Sequence, residues 1–260
     1  CIIGVFDFAA HMRARLARYY ERLMSSRPRI LAVDCATIPA SVAVLSGTLE
    51  TQKLVQDNDL RSDAWLGTAI GKCLTESNVR IDDLDGLAAS VGPGTFTGIR
   101  VGIATCLGLA APLGLPVVGV RTLDALATIA RSESDVIAAC IDARRGQIYG
   151  ALYGPEPSKF SLPLEPIWGP NVCDPEEFAR LISAKEPRAL ICGSGTPMVA
   201  SHGTFHVAGD RFPLATAIGS LAARTWKPCG NQSQWPSPRP VYLRPADARP
   251  PRNPLRDQHS

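Results

Sequence analysis

The ten-residue segment 91–100, Val-Gly-Pro-Gly-Thr-Phe-Thr-Gly-Ile-Arg, constrains the fold more than any other part of the chain. It follows the apolar run 86–91, which is typical of a buried strand, and leads into the apolar stretch 98–113, which predicts a helix. Glycine permits positive φ angles and close backbone contacts, and threonine is favoured where helices begin. The segment therefore predicts a strand-to-helix joint in an α/β protein.

Apolar runs separated by turn residues predict one order of elements that occurs twice. The first copy has strands at 30–33, 41–45, 52–56, 86–91 and 117–119, with helices at 59–75, 98–113 and 122–130. The second copy has strands at 136–141, 147–153, 161–167 and 189–192, with helices from Asp174 and at 214–224. Asp59, Thr122 and Asp174 are the predicted helix caps. This order predicts an α/β, actin-like (ASKHA) fold, in which two βββαβα-type lobes face a cleft and the second lobe is shortened.

The same pattern sets the expected domain boundaries. We expect an N-terminal lobe at 29–132 and a C-terminal lobe at 133–248. Residues 1–28, which begin with Cys1 rather than Met, are expected to be an extension that is mobile or not native, with Met24 as an alternative start. Residues 249–260 follow a proline-rich stretch and are expected to form a flexible tail.

Composition restricts the class of protein without naming a partner. The 260 residues are 45% hydrophobic and 20% charged with a net charge of +3, which excludes a mostly disordered chain. The eight cysteines form no C-x-x-C pair, so reduced, buried thiols in a cytoplasmic protein are predicted. Residues 101–120 carry no Asp, Glu or Lys, but glycines and prolines interrupt them, which favours a helix and a short strand over a membrane span.

The joint itself has two interpretations. A helix N-terminus with free N–H groups binds phosphate, and Asp34 and Thr37 follow the first strand, where an actin-like loop meets metal-bound phosphate. The candidate nucleotide or phosphate remnant is therefore Asp34, Thr37, Gly92, Gly94, Thr95 and Thr97. Alternatively, the glycines only permit a tight turn. No lysine follows the glycines, so the segment is not a P-loop.

A row of small residues continues along the predicted helix after the joint. Gly94, Gly98 and Gly102 are four apart, and Ala104, Gly108 and Ala111 follow them. Such a row lets a second helix approach closely, either within the same subunit or in another protein.

Three segments of the chain resemble the TsaB family. The first is Ile30-Leu31-Ala32-Val33-Asp34-Cys35-Ala36-Thr37 with 41–44. The second runs from 91–100 through 115–120 to 122–126. The third is 142–149, and it is supported by Pro240-Val241-Tyr242-Leu243-Arg244 near the end of the chain. The resemblance covers most of residues 29–248 and implies an actin-like fold. It implies a non-catalytic subunit in the synthesis of threonylcarbamoyladenosine (t6A) at position 37 of tRNA.

The resemblance also implies a division of labour. A related TsaD-like subunit moves the threonylcarbamoyl group from its adenylate to the tRNA adenosine, and its helix after the matching strand carries two metal-binding histidines. Thr122 and Leu126 stand at those places here, so no metal site is expected. The helices at 59–75 and 98–114 are the expected partner face, with Leu60, Ala64, Gly98, Arg100, Gly102, Thr105 and Leu109 as its residues.

Further partners follow from the same resemblance. They are a TsaE-like ATPase joined through the complex, a homodimer through the same helices as an alternative, and tRNA reached indirectly, with no membrane. No firmly bound cofactor is implied, and ATP or ADP with Mg²⁺ at the complex interface is the alternative. The chain departs from the family pattern at 59–62, where Asp-Leu-Arg-Ser replaces a common His-Ser start.

The sequence also leaves other functions open. An actin-fold ATPase or small-molecule kinase would use Asp34, Thr37 and the joint, with 193–195 as the glycine cluster for adenosine. Direct tRNA contact through the tail arginines is a weaker alternative (Arg239, Arg244, Arg249, Arg252 and Arg256). His202 and His206 have ligand-like spacing, but surface positions are favoured over a metal site. No arrangement typical of a peptidase is found.

Overall fold

The computed structural model describes residues 27–56, 62–155, 163–208, 213–226 and 238–244, with backbone only for 62–64. Several predictions concern residues outside these ranges. They are the Asp59 cap, the Leu60 contact, the N-terminal extension, the tail beyond 248, and the arginines at 249, 252 and 256. Ala64 lies in a helix, and its side chain is outside the description.

The first five strands form one mixed sheet. These strands are β1 (Arg29–Asp34), β2 (Ser41–Ser46), β3 (Leu49–Val55), β4 (Gly86–Gly92) and β5 (Val117–Arg121), in the order β3-β2-β1-β4-β5. β1, β2 and β3 are an antiparallel meander, whereas β4 is parallel to β1 and β5 is parallel to β4. The connecting helices are α1 (Ser62–Glu76) and α2 (Phe96–Ala110), and α3 (Thr122–Ala130) follows β5.

The second five strands repeat this topology. They are β6 (Ile137–Arg144), β7 (Gln147–Tyr153), β8 (Trp168–Cys173), β9 (Leu190–Cys192) and β10 (His206–Val207), in the order β10-β9-β6-β7-β8. The helices are α4 (Pro175–Lys185), α5 (Thr196–Ala200) and α6 (Ala215–Thr225). α5 has 5 residues where its counterpart α2 has 15. The two βββαβα units and the shortened second lobe that the sequence predicts are therefore confirmed.

Each sheet is covered on both faces. α1 and α2 pack on the outer face of the first sheet, and α4 and α5 on the outer face of the second. α3 and α6 lie between the sheets, where α3 contacts β6 and α6 contacts β1, β2 and β4. One apolar cluster, which includes Leu45, Leu123, Ile141 and Ile218, therefore spans both lobes.

Three details differ from the sequence predictions. The strand expected at 161–167 is wrong for the described residues 163–167, because the third strand of the second lobe is Trp168–Cys173. Pro170 lies inside it, which is tolerated because β8 is an edge strand. Thr122 is the first helical residue and not the cap, since Arg121 takes that position. The predicted cap at Asp174 is confirmed, with its carboxylate accepting a 3.0 Å hydrogen bond from the Glu176 amide.

The apolar character of α2 has a structural explanation. The segment Phe96–Leu113 is long and apolar enough to cross a membrane by length and composition. In the folded chain its inner side packs on the first sheet through residues including Ile99, Ile103 and Cys106. Among the described residues the cysteines are free and buried (Cys35, Cys73, Cys106, Cys140, Cys173 and Cys192), as the sequence predicts.

Candidate functional site

Asp34 ends β1 at the base of the predicted phosphate site, and its carboxylate is fully buried. Its Oδ1 accepts hydrogen bonds from the Ala36 amide at 2.9 Å and the Ser90 hydroxyl at 2.6 Å. Its Oδ2 accepts one from the Thr37 hydroxyl. Burial raises the pKa of Asp34, and these hydrogen bonds oppose the rise. The structure thus brings Asp34 and Thr37 together, and both carboxylate oxygens are used by the chain's own donors.

The glycines of the joint face carbonyl oxygens. A Cβ atom on Gly94 would lie 2.3 Å from the carbonyl oxygen of Ala36, and one on Gly98 would lie 1.8 Å from that of Cys35. The Thr95 amide donates a 2.8 Å hydrogen bond to the Ala36 carbonyl, and the Thr95 hydroxyl donates to the Cys35 carbonyl rather than capping α2. Carbonyl oxygens repel anions, so this geometry favours backbone packing over a phosphate cradle.

A C-terminal segment covers the other side of the joint. We call residues 238–244 the strap. The Val241 amide donates a 2.7 Å hydrogen bond to the Val91 carbonyl, and its own carbonyl oxygen would lie 2.7 Å from a Cβ on Gly92. Gly92 has a φ of +102°, which a side chain rarely adopts. Gly92 is therefore required both by its conformation and by the strap. Of the remnant residues, Thr97 is exposed and Gly94 and Thr95 are half-buried.

The strap also ties the two lobes together. The Arg100 Nε donates a 3.0 Å hydrogen bond to the Tyr242 hydroxyl, and the Arg100 guanidinium lies 3.7 Å above the Phe96 ring. On the second lobe, Arg244 donates to the Ala143 carbonyl at 2.9 Å and to the Gln147 side chain. Phe96 has no sequence signal of its own within the segment 91–100. The sequence indicates Tyr242 only through the motif 240–244, because an irregular segment such as the strap has no helix or strand periodicity.

The predicted partner face needs correction. Gly98 and Gly102 are buried, and a Cβ on Gly102 would lie 3.6 Å from the Cys35 Cβ, so neither residue is on an exposed surface. Thr105 and Leu109 are half-buried, and Leu109 packs against the core of the first lobe. Arg100 is exposed but is engaged by the strap. The row of small residues therefore divides into an inner half, which packs within the subunit, and an outer half.

The outer half of that row is exposed and continues onto α1. We define the outer face as a group of exposed residues on these two neighbouring helices: Gly67, Thr68, Gly71 and Lys72 of α1, with Ala104, Leu107, Gly108 and Ala111 of α2 and the turn after it. Leu107 is 45% exposed. A Cβ on Gly67, Gly71 or Gly108 would meet nothing within 4 Å. Apart from Leu107 and from Lys72, which pairs with the exposed Glu76 at 3.7 Å, the side chains of this surface are small and uncharged.

Thr122 and Leu126, which are expected to stand where the catalytic relative has metal-binding histidines, lie inside the core. Thr122 is fully buried, and its hydroxyl has no hydrogen-bond partner among the described residues. Leu126 is 4% exposed and belongs to the apolar cluster between the lobes. A hydroxyl and an isobutyl group there do not fit a metal ion that needs imidazole ligands. Within the described ranges no group of three or more His, Cys, Asp or Glu side chains is arranged to hold a metal ion.

The second lobe repeats the joint in reduced form. Gly193 has a φ of +105°, and a Cβ on it would lie 2.2 Å from the Cys140 carbonyl oxygen. The Gly195 amide donates a 3.1 Å hydrogen bond to the same carbonyl. The glycine cluster at 193–195 therefore packs on backbone, as in the first lobe. His202 and His206 are both exposed, as the surface interpretation predicts.

A buried polar network lies at the contact between the lobes. Asp124 of α3 accepts hydrogen bonds from Arg121 at 3.0 Å, from the Leu164 amide at 3.0 Å and from the Tyr153 hydroxyl at 2.7 Å. Arg121 also donates to the Leu164 carbonyl. Burial raises the pKa of Asp124, and Arg121 opposes the rise. This network links β5 and α3 to β7 of the second lobe.

Comparison with known proteins identifies the family. The family model for "TsaD: tRNA N6-adenosine threonylcarbamoyltransferase" matches residues 61–223. The "tRNA threonylcarbamoyladenosine biosynthesis protein TsaB" of Haemophilus influenzae is 34% identical over 200 residues, which cover 74% of this chain and 83% of that protein. The chain belongs to the TsaB family. TsaB of Escherichia coli is 37% identical over 130 residues and TsaB of Bacillus subtilis 29% over 124, and each match covers 54% of the relative. The chain thus spans about half the length of these two TsaB proteins.

Two solved structures from Pseudomonas aeruginosa have the same architecture. One is YeaZ, at a TM-score of 0.67 and 26% identity over 83% of this chain and 100% of YeaZ. The other is an uncharacterized protein with similarity to peptidase YeaZ. Its TM-score is 0.70, and it is 28% identical over 84% of this chain and 100% of that chain. With the sheet topology, these similarities confirm the actin-like fold.

Proposed function

We propose that this TsaB-family chain acts in the synthesis of threonylcarbamoyladenosine at position 37 of tRNA. In that role it binds and supports a TsaD-like catalytic subunit and transfers no group itself. The observation that carries the proposal is the burial of Thr122 and Leu126, which the resemblance places at the catalytic relative's metal-ligand positions and whose side chains do not bind metal. The names of the TsaB relatives support the pathway.

The outer face is the proposed site for the TsaD-like subunit. Small residues on exposed helices let a second helix approach closely, because no long side chain holds the two backbones apart. The glycines at 67, 71 and 108 would otherwise cost helix stability without any contact to justify them, since about 1 kcal/mol separates Gly from Ala in a helix. A TsaE-like ATPase would join through the complex, and a homodimer through the same face is the competing state of the free subunit.

The internal contacts of the chain suit a supporting role. The strap and the Asp124 network each join the two lobes through hydrogen bonds, so the lobes form a fixed support behind α1 and α2. In this chain, α3 and α6 fill the space between the sheets with apolar side chains.

An actin-fold ATPase or small-molecule kinase is the second candidate, and Asp34 is the observation that favours it, since an aspartate after the first strand meets metal-bound phosphate in that fold. Against it, both oxygens of Asp34 already accept hydrogen bonds from the chain. Calorimetry with ATP and Mg²⁺ separates the candidates: tight binding and turnover that Asp34→Ala abolishes would support the kinase.

Depletion of the protein in its own host tests the pathway. Mass spectrometry of tRNA nucleosides should show loss of t6A, and re-expression of the wild-type chain should restore it. Asp34→Asn should restore t6A as well, because the proposal gives that carboxylate no catalytic role. Persistence of t6A after complete depletion would reject the proposed function.

A further inference from the structure

Three separate segments of the chain bring arginines to one surface. Tyr242 of the strap contacts Arg100 at the start of α2, and Arg244, two residues on, contacts the β6–β7 hairpin at Ala143 and Gln147. The Cα atoms of Tyr242 and Arg244 are at most about 7 Å apart, so one short stretch of the strap contacts both the start of α2 and the hairpin. We define the basic patch as the arginines of these three segments: Arg100, Arg144, Arg239 and Arg244.

The described ion pair within the patch is exposed. Asp142 forms an exposed ion pair with Arg144 at 3.3 Å, in which the Arg144 side chain remains 73% exposed. Exposed pairs of this kind are weak and are displaced by a stronger anion. The first turn of α2 contains no acidic residue, whereas that of α4 contains Glu176 and Glu177. The positive end of α2 therefore adds to the field of the patch rather than being neutralised.

Two aromatic rings lie within the basic patch. Phe96 is 49% exposed and Tyr242 is 45% exposed, with ring centroids 5.2 Å apart. Phe96 also carries the Arg100 guanidinium on one face. Aromatic rings next to arginines provide stacking surfaces for unpaired bases as well as charge for phosphates.

From this juxtaposition we infer that the basic patch binds RNA directly, with its arginines on backbone phosphates and Phe96 or Tyr242 against an unpaired base. The inference rests on the proposed function, which makes tRNA the available RNA. It differs from the expectation that tRNA is reached only indirectly. The patch uses arginines from the α2 start and the hairpin as well as the tail, so a flexible tail is not required.

RNA fits this patch better than an acidic protein segment does. An acidic segment would satisfy the arginines but would make no use of the exposed parts of the two rings. Planar guanidinium groups match phosphate oxygens, and base stacking uses the rings. The outer face, which we assign to the protein partner, is by contrast largely uncharged.

The test measures affinity of the full chain for an unmodified tRNA transcript between 50 and 200 mM salt, by fluorescence anisotropy. The double variant Arg144→Ala/Arg239→Ala should bind about tenfold or more weakly at low salt, and the slope of log K against log salt should fall by about 1 to 2. Phe96→Ala should weaken binding about tenfold at a nearly unchanged salt slope. The matched control is Arg80→Ala/Arg180→Ala, which removes two arginines with 76% and 77% exposed side chains from other elements.

Several outcomes would overturn the inference. Equal loss in the control variant would mean that only net charge matters, and no loss in either variant would place the RNA elsewhere. Displacement of tRNA by polyglutamate at equal charge concentration would assign the patch to an acidic protein. Each of these leaves the t6A depletion result untouched, so failure here is distinguishable from failure of the proposed function.

Discussion

A Cβ atom placed on Gly98 would lie 1.8 Å from the carbonyl oxygen of Cys35, so the first turn of α2 and the end of β1 are in direct backbone contact. Ten residues further along the same helix, a Cβ on Gly108 would meet nothing within 4 Å. The two glycines therefore have different structural roles. Gly98 is required for folding within the subunit, and Gly108 leaves a surface bare.

Alanine substitutions at these two glycines should change stability in opposite directions. Gly98→Ala should lower the free energy of unfolding by about 3 kcal/mol or more, because the backbone carbonyl of Cys35 cannot rotate away. Gly108→Ala should raise it by about 1 kcal/mol, because alanine favours the helix and contacts nothing. Urea unfolding followed by circular dichroism measures both. Similar effects for the two variants would contradict the described position of α2.

The buried carboxylate of Asp34 makes a pH-dependent contribution. Its pKa in the folded chain is raised from the ordinary 3.8, so the folded state binds the proton more tightly than the unfolded state. The stability that protonated Asp34 contributes is present below pH 3.8 and is lost as pH rises through the raised folded pKa. The unfolding free energy of the wild type minus that of Asp34→Asn should therefore fall as pH rises above 3.8. A pH-independent difference, measured by urea unfolding from pH 4 to 7, would contradict this.

The Tyr153 hydroxyl should contribute measurably to the contact between the lobes. It is the described hydrogen-bond donor to Oδ1 of Asp124, so Tyr153→Phe leaves that buried oxygen without its partner. We expect a loss of about 1 to 3 kcal/mol in unfolding free energy. Tyr149→Phe, on the same strand but half-buried, is the matched control and should change stability by less than about 0.5 kcal/mol. Equal effects would mean that the Asp124 contact carries little energy.

The buried thiols should be unreactive in the folded protein. Burial raises the pKa of Cys106 and Cys140 from 9.0 to about 12, and that of Cys73 to about 11. Since the thiolate is the nucleophile, alkylation of Cys106 at pH 8 should be about 10³-fold slower in the native protein than in urea. Peptide mass spectrometry after iodoacetamide labelling reads each cysteine separately. Native labelling of Cys106 at the rate seen in urea would contradict its burial.

The sequence predicts much of this architecture because strong local patterns and tertiary contacts agree. The strand β7 and the helix α3 begin and end where their apolar runs do, and the cap at Asp174 forms as its residues indicate. The sequence does not predict the position of β8, because prolines at 163, 166 and 170 obscure the alternation and an edge strand tolerates proline.

The candidate site was less predictable for a physical reason. Glycine spacing alone does not show which side of a helix faces the sheet, so Gly98 and Gly102 were assigned to a partner face although they pack on Cys35. The strap contacts of Tyr242 and Arg244 join residues about one hundred or more positions apart, and no local pattern encodes them.

The proposed role as a partner subunit is tested most directly by co-purification with the cognate TsaD-like subunit. Ala104→Arg/Gly108→Arg places two long charged side chains on the outer face, where Gly108 has open space, so the chain should still fold. The matched control is Ala184→Arg, on an exposed position of α4 in the other lobe. The account predicts that wild type and the control retain the TsaD-like subunit and that the double variant loses it. Retention by the folded double variant would contradict the account.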